Sequence, residues 1–211
     1  MSKIKSILGL NFKGNKGMIF YLVMTAFYVA LYVIVDRFVT PMVSESLKGV
    51  SLNFIPIVAA AVTLGPVSSA LVFGLGDFVG SILFPKGDPI IWLWFTYALM
   101  GFIYGIALYC PYVKTEICEY KLNKNEKLNK LYNVMIMLAF FLIALIINKF
   151  FISLFVNTYI IGSFFDPKNV KEYVLMNIPL RLTKNVIDVV VQMIALPILV
   201  PIFKKIKAIK R

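Results

Sequence analysis

The sequence predicts an all-α integral membrane protein with six transmembrane helices and both termini in the cytoplasm. Of its 211 residues, 60% are hydrophobic and only 15% are charged, whereas soluble domains carry about 25% charged residues. Several apolar runs approach the length of about 20 residues that a helix needs to cross the hydrocarbon core. The basic residues fall in three clusters between these runs, as expected for cytoplasmic loops rich in lysine and arginine.

Proline and glycine mark the ends of most predicted spans, because proline cannot continue a helix and glycine weakens one. The first span ends before Pro41, the second at Leu64, the third at Pro85 and the fourth at Pro111. The fifth is one long apolar run, and the sixth contains three prolines. In a single domain of residues 1–211, the predicted spans cover residues 18–38, 53–64, 67–84, 91–110, 131–160 and 173–203.

The charge distribution supports the count of six spans. The second and third predicted spans could form one re-entrant hairpin, because the second is short. Basic residues cluster before the first span, in the loop 111–130 and in the tail from residue 204. Clusters on one side of a membrane must be separated by an even number of spans. Four spans before the loop and two after it meet this condition.

Several classes of function lack their motifs in this chain. There is no P-loop, no H-E-x-x-H and no G-x-S-x-G. Histidine is absent, and the two cysteines do not form a C-x-x-C pair, so we expect no metal and no cofactor. The net charge is +12, but the basic residues that give it fall in clusters between apolar runs, which argues against nucleic-acid binding. We expect a non-enzymatic protein that depends on partners for energy.

Charged side chains at membrane depth are the first candidates for a ligand site, because they are costly there and usually functional. Asp36 and Arg37 end the first span, Asp77 lies inside the third in GLGDFVGS, and Lys149 lies inside the fifth. Arg37 and Asp77 are predicted ligand-binding residues. The alternatives are interfacial anchoring for Arg37 and a structural role for Asp77.

The sixth predicted span carries a polar stripe. Arg181, Lys184 and Asp188 follow i, i+3, i+7 spacing, which predicts one helical face, and Asn185 is next to Arg181 on that face. Two cations and an amide suit an anion such as a carboxylate, which arginine can hold with two parallel hydrogen bonds. The alternatives are that these residues are snorkelling interfacial residues or that they form internal ion pairs, such as Lys184 with Asp188.

Aromatic residues cluster in PKGDPIIWLWF at residues 85–95, where Trp92, Trp94 and Phe95 lie close together. They are predicted either to form a flat wall for a planar ring or to belong to an interfacial aromatic belt. Small residues form a second pattern, AxxxA at Ala26 and Ala30, which permits close helix approach inside the protein or against a partner.

The order of these motifs resembles a known family. The stretches ALYVIVDRF, LKGVSLNFIPIVAAAVTLGPVSSALVFGLGDFVGSILFP, FTYALMGFIYGIALY, VNTYIIGSFF and LRLTKNVIDVVVQ resemble the S component of energy-coupling factor (ECF) vitamin transporters. The Asn157-Thr158 pair and RLTKN are most similar to the folate branch. The resemblance covers most of residues 18–195.

This resemblance implies a six-helix S-component bundle in the plasma membrane of a prokaryote. The subunit would bind folate from outside and deliver it inward with a transmembrane coupling subunit and two cytosolic ATPase subunits. Docking to the coupling subunit would involve Ala26 and Ala30, together with Leu64, Gly65 and Pro66. A different planar or anionic vitamin, or a non-transport assembly protein, are the alternatives.

Folate has a flat pterin and two carboxylates, which assigns a role to each candidate residue. Arg37 and Arg181 would hold carboxylates, and Lys184 could support either end of the ligand. The predicted stacking residues are Phe54, Trp92, Trp94 and Phe95, and the predicted partners of the pterin edges are Asn53, Asn157 and Asn185.

Overall fold

The computed structural model describes residues 8–10, 14–46, 51–85, 88–113 and 126–208. Within these residues the chain forms six helices. They are α1 (14–46), α2 (Phe54–Thr63), α3 (Pro66–Leu83), α4 (Ile91–Val113), α5 (126–165) and α6 (Val170–Ala208). Pro111 lies inside α4 and does not end it, so the predicted boundary at residue 110 is corrected by three residues.

Five of the six described helices are long and apolar enough to cross a membrane, and α2 is the exception. Ten residues span about 15 Å as a helix, against about 30 Å for the hydrocarbon core. The prediction of an all-helical membrane protein is therefore confirmed. Six spans and cytoplasmic termini remain predictions.

The short helix α2 lies at the centre of the bundle. Its residues from Phe54 to Val62 are all buried, except Ile55, and it contacts α1, α3, α4 and α6. Protein instead of lipid surrounds it, so its length need not match the bilayer. Its ends then lie inside the protein, where backbone polar groups need internal partners.

Helices α3 and α4 pack closely because glycines face the contact. A Cβ on Gly105 would overlap the Cα of Pro66, and one on Gly101 would lie 2.5 Å from the carbonyl oxygen of Ser69. The Ser69 hydroxyl also donates to the carbonyl of Gly101 at 2.7 Å. Small residues thus allow the backbones of the two helices to touch.

Segment 8–10 packs against the turn between α2 and α3. Gly9 and Gly65 both have positive φ, +75° and +109°, which side-chain-bearing residues rarely adopt. A Cβ on Gly9 would overlap the Leu64 carbonyl oxygen. The contact places this turn at the end of the bundle where the chain enters α1, so α2 returns the chain to that end.

Two helices contain wide π-helical turns, and both carry charged residues. Val35–Val39 in α1 holds Asp36 and Arg37, and Ile147–Val156 in α5 holds Lys149. Wide turns of this kind occur often at functional sites. They place the charges at one end of the bundle, called here the Arg37 end, where α1 reaches Arg37 and α2 begins.

Candidate functional site

The first polar cluster at the Arg37 end joins α1, α2 and α3. The Arg37 Nε lies 3.3 Å from Asp36 Oδ2, and its Nη2 lies 3.5 Å from Asp77 Oδ1. Asn53, just before α2, donates from Nδ2 to Asp36 Oδ1 at 3.2 Å. The Arg37 side chain is only 8% exposed. The guanidinium predicted to hold a ligand carboxylate therefore faces two carboxylates of its own chain.

A glycine makes room for this guanidinium. A Cβ on Gly80 of α3 would lie 2.8 Å from Arg37 Nε, so a larger residue there would displace the arginine. Asp77 is on the preceding turn of the same helix, where i and i+3 positions share a face. The sequence GLGDFVGS thus supplies both the acid and the space for the base.

The second polar cluster is centred on Asp188 of α6. Lys149 Nζ lies 2.7 Å from Asp188 Oδ2. The Ser51 backbone N–H donates to Asp188 Oδ1 at 3.0 Å, and its hydroxyl lies 3.1 Å from Oδ2. The Asp188 side chain is 2% exposed. The structure therefore pairs Asp188 with Lys149, and the suggested pair with Lys184 is not formed.

Asn185 belongs to the same cluster. Its Nδ2 donates to the Lys149 carbonyl oxygen at 2.7 Å, and its Oδ1 accepts from the Ser153 hydroxyl at 3.4 Å. Asn185 is 4% exposed, whereas Lys184 is exposed and Arg181 is half-buried. The predicted polar stripe of α6 is thus divided, with Asn185 and Asp188 inside and Lys184 outside.

Tyr97 of α4 packs against the ring of Phe73 on α3. The two rings are stacked, with centroids 4.9 Å apart and an angle of 15°. Sequence reasoning missed this residue. Its position three residues after Trp94, on the same face of a helix, was the available signal.

Asn157 of α5 has a buried acceptor without a donor. The residue is 3% exposed, and its Oδ1 has no hydrogen-bond partner among the described residues. Leaving such a group unpaired costs about 1–3 kcal/mol. Asn157 follows Ser153, which contacts Asn185, by four positions. A ligand N–H would satisfy this acceptor.

The four predicted stacking residues are not brought together. Phe54 is 3% exposed in the core of α2, and Trp94 packs edge-on against Phe78, with centroids 4.5 Å apart. Trp92 and Phe95 are 70% and 65% exposed on the outer surface of α4. Of the four, Trp94 and Phe54 lie among the helices, and Trp92 and Phe95 face outward.

A groove runs along the outer surface between α1 and α3. Its volume is about 600 Å³, and its walls are almost entirely apolar. Ala26 and Ala30 both line the groove and are exposed, so the AxxxA pattern forms part of the protein surface and is not buried in the bundle. Leu64, Gly65 and Pro66 are buried, with segment 8–10 against the first two.

These features define a multi-pass helical membrane protein with a polar site at one end of its bundle and an apolar groove along its side. A family model described as "ECF-type riboflavin transporter, S component" matches residues 17–207. The chain belongs to this family. No curated protein sequence and no solved structure gives a significant match.

The chain is therefore the substrate-binding membrane subunit of an ECF-type vitamin transporter. Such S components work with an ECF membrane subunit and ATPase subunits and are not ATPases themselves. The predicted S component is confirmed. The predicted folate branch is not, because the matching family model names a different vitamin.

Proposed function

We propose that this chain binds riboflavin from outside a prokaryotic cell and that an ECF coupling subunit with two ATPase subunits drives its import. The description of the matching family supports this vitamin. The observation that carries the proposal is the internal pairing of charge at the Arg37 end of the bundle. Arg37 pairs with Asp36 and Asp77, and Lys149 pairs with Asp188.

A site whose charges are internally paired suits a neutral ligand with many hydrogen-bonding groups. Riboflavin has a flat ring with an N–H group and carbonyls, and a chain of hydroxyls. The unpaired Asn157 Oδ1 would accept from the ring N–H. Asn53 and Asn185, each held by an ion-paired residue, would contact polar edges, and the ring would lie against Trp94 or Tyr97.

Folate remains the second candidate, because one cation of the predicted site has no acid partner. Among the residues that the structure describes, no acidic group lies within ion-pair distance of Arg181, and Lys184 is exposed. These two cations would suit the two carboxylates of folate. In that case Arg181 would hold a carboxylate and Asn157 would accept from the pterin.

The purified chain should bind riboflavin tightly without ATP. Because Asn157 would supply a buried acceptor, Asn157→Leu should weaken binding about 10-fold or more. Quenching of flavin fluorescence measures the affinity, and Asn15→Leu, at an exposed position, is the matched control.

The same assay separates the two candidates. Riboflavin binding that tolerates Arg181→Ala, with no competition from folate, supports the flavin proposal. Tight folate binding that Arg181→Ala abolishes would replace riboflavin with the second candidate. A chain that binds neither vitamin would refute both candidates.

Replacing Ala26 and Ala30 with tryptophan should block uptake by the complete transporter and leave riboflavin binding unchanged. The bulky rings would fill the groove between α1 and α3, where we propose that the coupling subunit docks. Uptake into vesicles and binding to the isolated subunit are the two measurements.

Leu99→Trp is the control, because Leu99 is 52% exposed on α4, away from the groove. Loss of both uptake and binding in the Ala26 and Ala30 variant would show that the pair serves packing within the subunit.

A further inference from the structure

We propose that Asp188 and Asp36 are positioning residues that clamp segment 51–53 between α6 and α1, and that this clamp controls how fast the ligand leaves. The clamp itself is independent of ligand identity. Its effect on ligand release rests on the proposed function.

The α6 side of the clamp is the contact between Ser51 and Asp188. Both the backbone N–H and the hydroxyl of Ser51 point at this carboxylate, at 3.0 and 3.1 Å. Hydrogen bonds to an ionised group are about twice as strong as neutral ones. Ser51 is 8% exposed, so water does not compete freely. Lys149, at 2.7 Å, balances the carboxylate charge from α5.

The α1 side of the clamp is the contact between Asn53 and Asp36. Asn53 Nδ2 donates to Asp36 Oδ1 at 3.2 Å, while Arg37 balances the same carboxylate at 3.3 Å. Each end of the segment is thus held by one acid, and each acid has a base within ion-pair distance, although Arg37 is shared between Asp36 and Asp77. The two acids come from the first and last helices of the described chain.

The position of the segment explains why it needs partners. Residues 51–53 are not helical, and they precede the buried helix α2, so their backbone groups lack regular helical partners. Asn53 makes no side-chain cap to α2. Acidic groups near the first turn also suit the positive end of the helix dipole. Asp188 therefore supplies the partner of the Ser51 backbone N–H, and Asp36 holds the Asn53 side chain.

The clamp also reaches the proposed ligand contacts. Lys149 holds Asp188 through Nζ and Asn185 through its carbonyl oxygen, and Asn53 is itself a proposed ligand contact. Freeing segment 51–53 would therefore displace Asn53 and loosen the surroundings of Asn185. We expect faster release of the ligand with little change in its rate of association.

Hydrogen–deuterium exchange on the intact chain tests the clamp without any ligand. The double variant Lys149→Met/Asp188→Leu removes the acceptor and leaves no unpaired buried charge. Peptides that report the Ser51 amide should exchange about tenfold faster or more. The conservative pair Lys149→Gln/Asp188→Asn keeps an acceptor and should retain most of the protection, and Asp88→Asn, at an exposed position, should change nothing. Unchanged exchange in the first variant would overturn the clamp.

Stopped-flow fluorescence of bound riboflavin tests the consequence. The first double variant should release riboflavin about tenfold faster than wild type. The conservative pair should release it at a rate close to that of wild type. Faster exchange with an unchanged release rate would overturn the role in ligand release. A wild-type chain that binds no riboflavin would refute the proposed function, and the exchange result would then decide the clamp alone.

Discussion

Arg37→Met is expected to destabilise the protein by about 3–5 kcal/mol, because it removes one partner of a buried ion cluster. Asp36 and Asp77, whose side chains are 17% and 20% exposed, would lose the cation that balances both. Thermal unfolding in detergent, followed by size-exclusion chromatography of the heated samples, measures the loss. The variant should aggregate at a clearly lower temperature than wild type.

Two further variants make this expectation specific to the cluster. Lys168→Met removes a cation at an exposed position and should leave stability unchanged. Adding Asp36→Asn and Asp77→Asn to Arg37→Met removes the uncompensated charges and should restore most of the stability. If Arg37→Met alone unfolds at the wild-type temperature, the arginine is not needed to balance these acids.

Gly105→Ala should destabilise the protein by about 1–3 kcal/mol or more, as overpacking of a tight interface does. The added Cβ would overlap the backbone Cα of Pro66, and a backbone atom cannot rotate away as a side chain can. Helices α3 and α4 would have to separate. The same thermal assay measures the effect.

Ala139→Val is the matched control, because it also adds carbon atoms to a helix but at an exposed position. Stability close to wild type is expected there. A Gly105→Ala protein as stable as this control would mean that α3 and α4 do not pack as closely as the structure has them.

The helices could be predicted from the sequence to within a few residues at most ends. Apolar length and proline positions are local properties, and α3 begins and ends within one residue of its predicted bounds. The largest difference is in α1, which continues through Pro41 to residue 46, and α5 and α6 also extend beyond their predicted ends. Polar residues can continue a helix past the membrane, so hydropathy alone underestimates its length.

The candidate residues at membrane depth were recognisable, but their partners were not. Lys149 and Asp188 are 39 positions apart, and Ser51 and Asp188 are 137 apart. No periodicity relates such distant positions. The π-helical turns that orient Asp36, Arg37 and Lys149 likewise have no sequence signal of the kind that marks a cap or a turn.

The aromatic cluster illustrates a different limit. Tryptophan and phenylalanine suit both a lipid interface and a stacking platform, so PKGDPIIWLWF allowed either interpretation. The structure leaves Trp92 and Phe95 mostly exposed and stacks Tyr97 on Phe73. The identity of the vitamin was ambiguous for a related reason, because a fold does not by itself fix which ligand its site takes.

By itself, the sequence determined that this chain is a helical membrane protein with charges placed where charges are costly. That conclusion needs only the hydrophobicity of consecutive residues, which adds up along each helix. Only the tertiary structure decided which charges neutralise one another and that Asn157 Oδ1 has no donor among the described residues. Electrostatic attraction depends on distance in space, and folding alone brings Arg37 to Asp77 and Lys149 to Asp188.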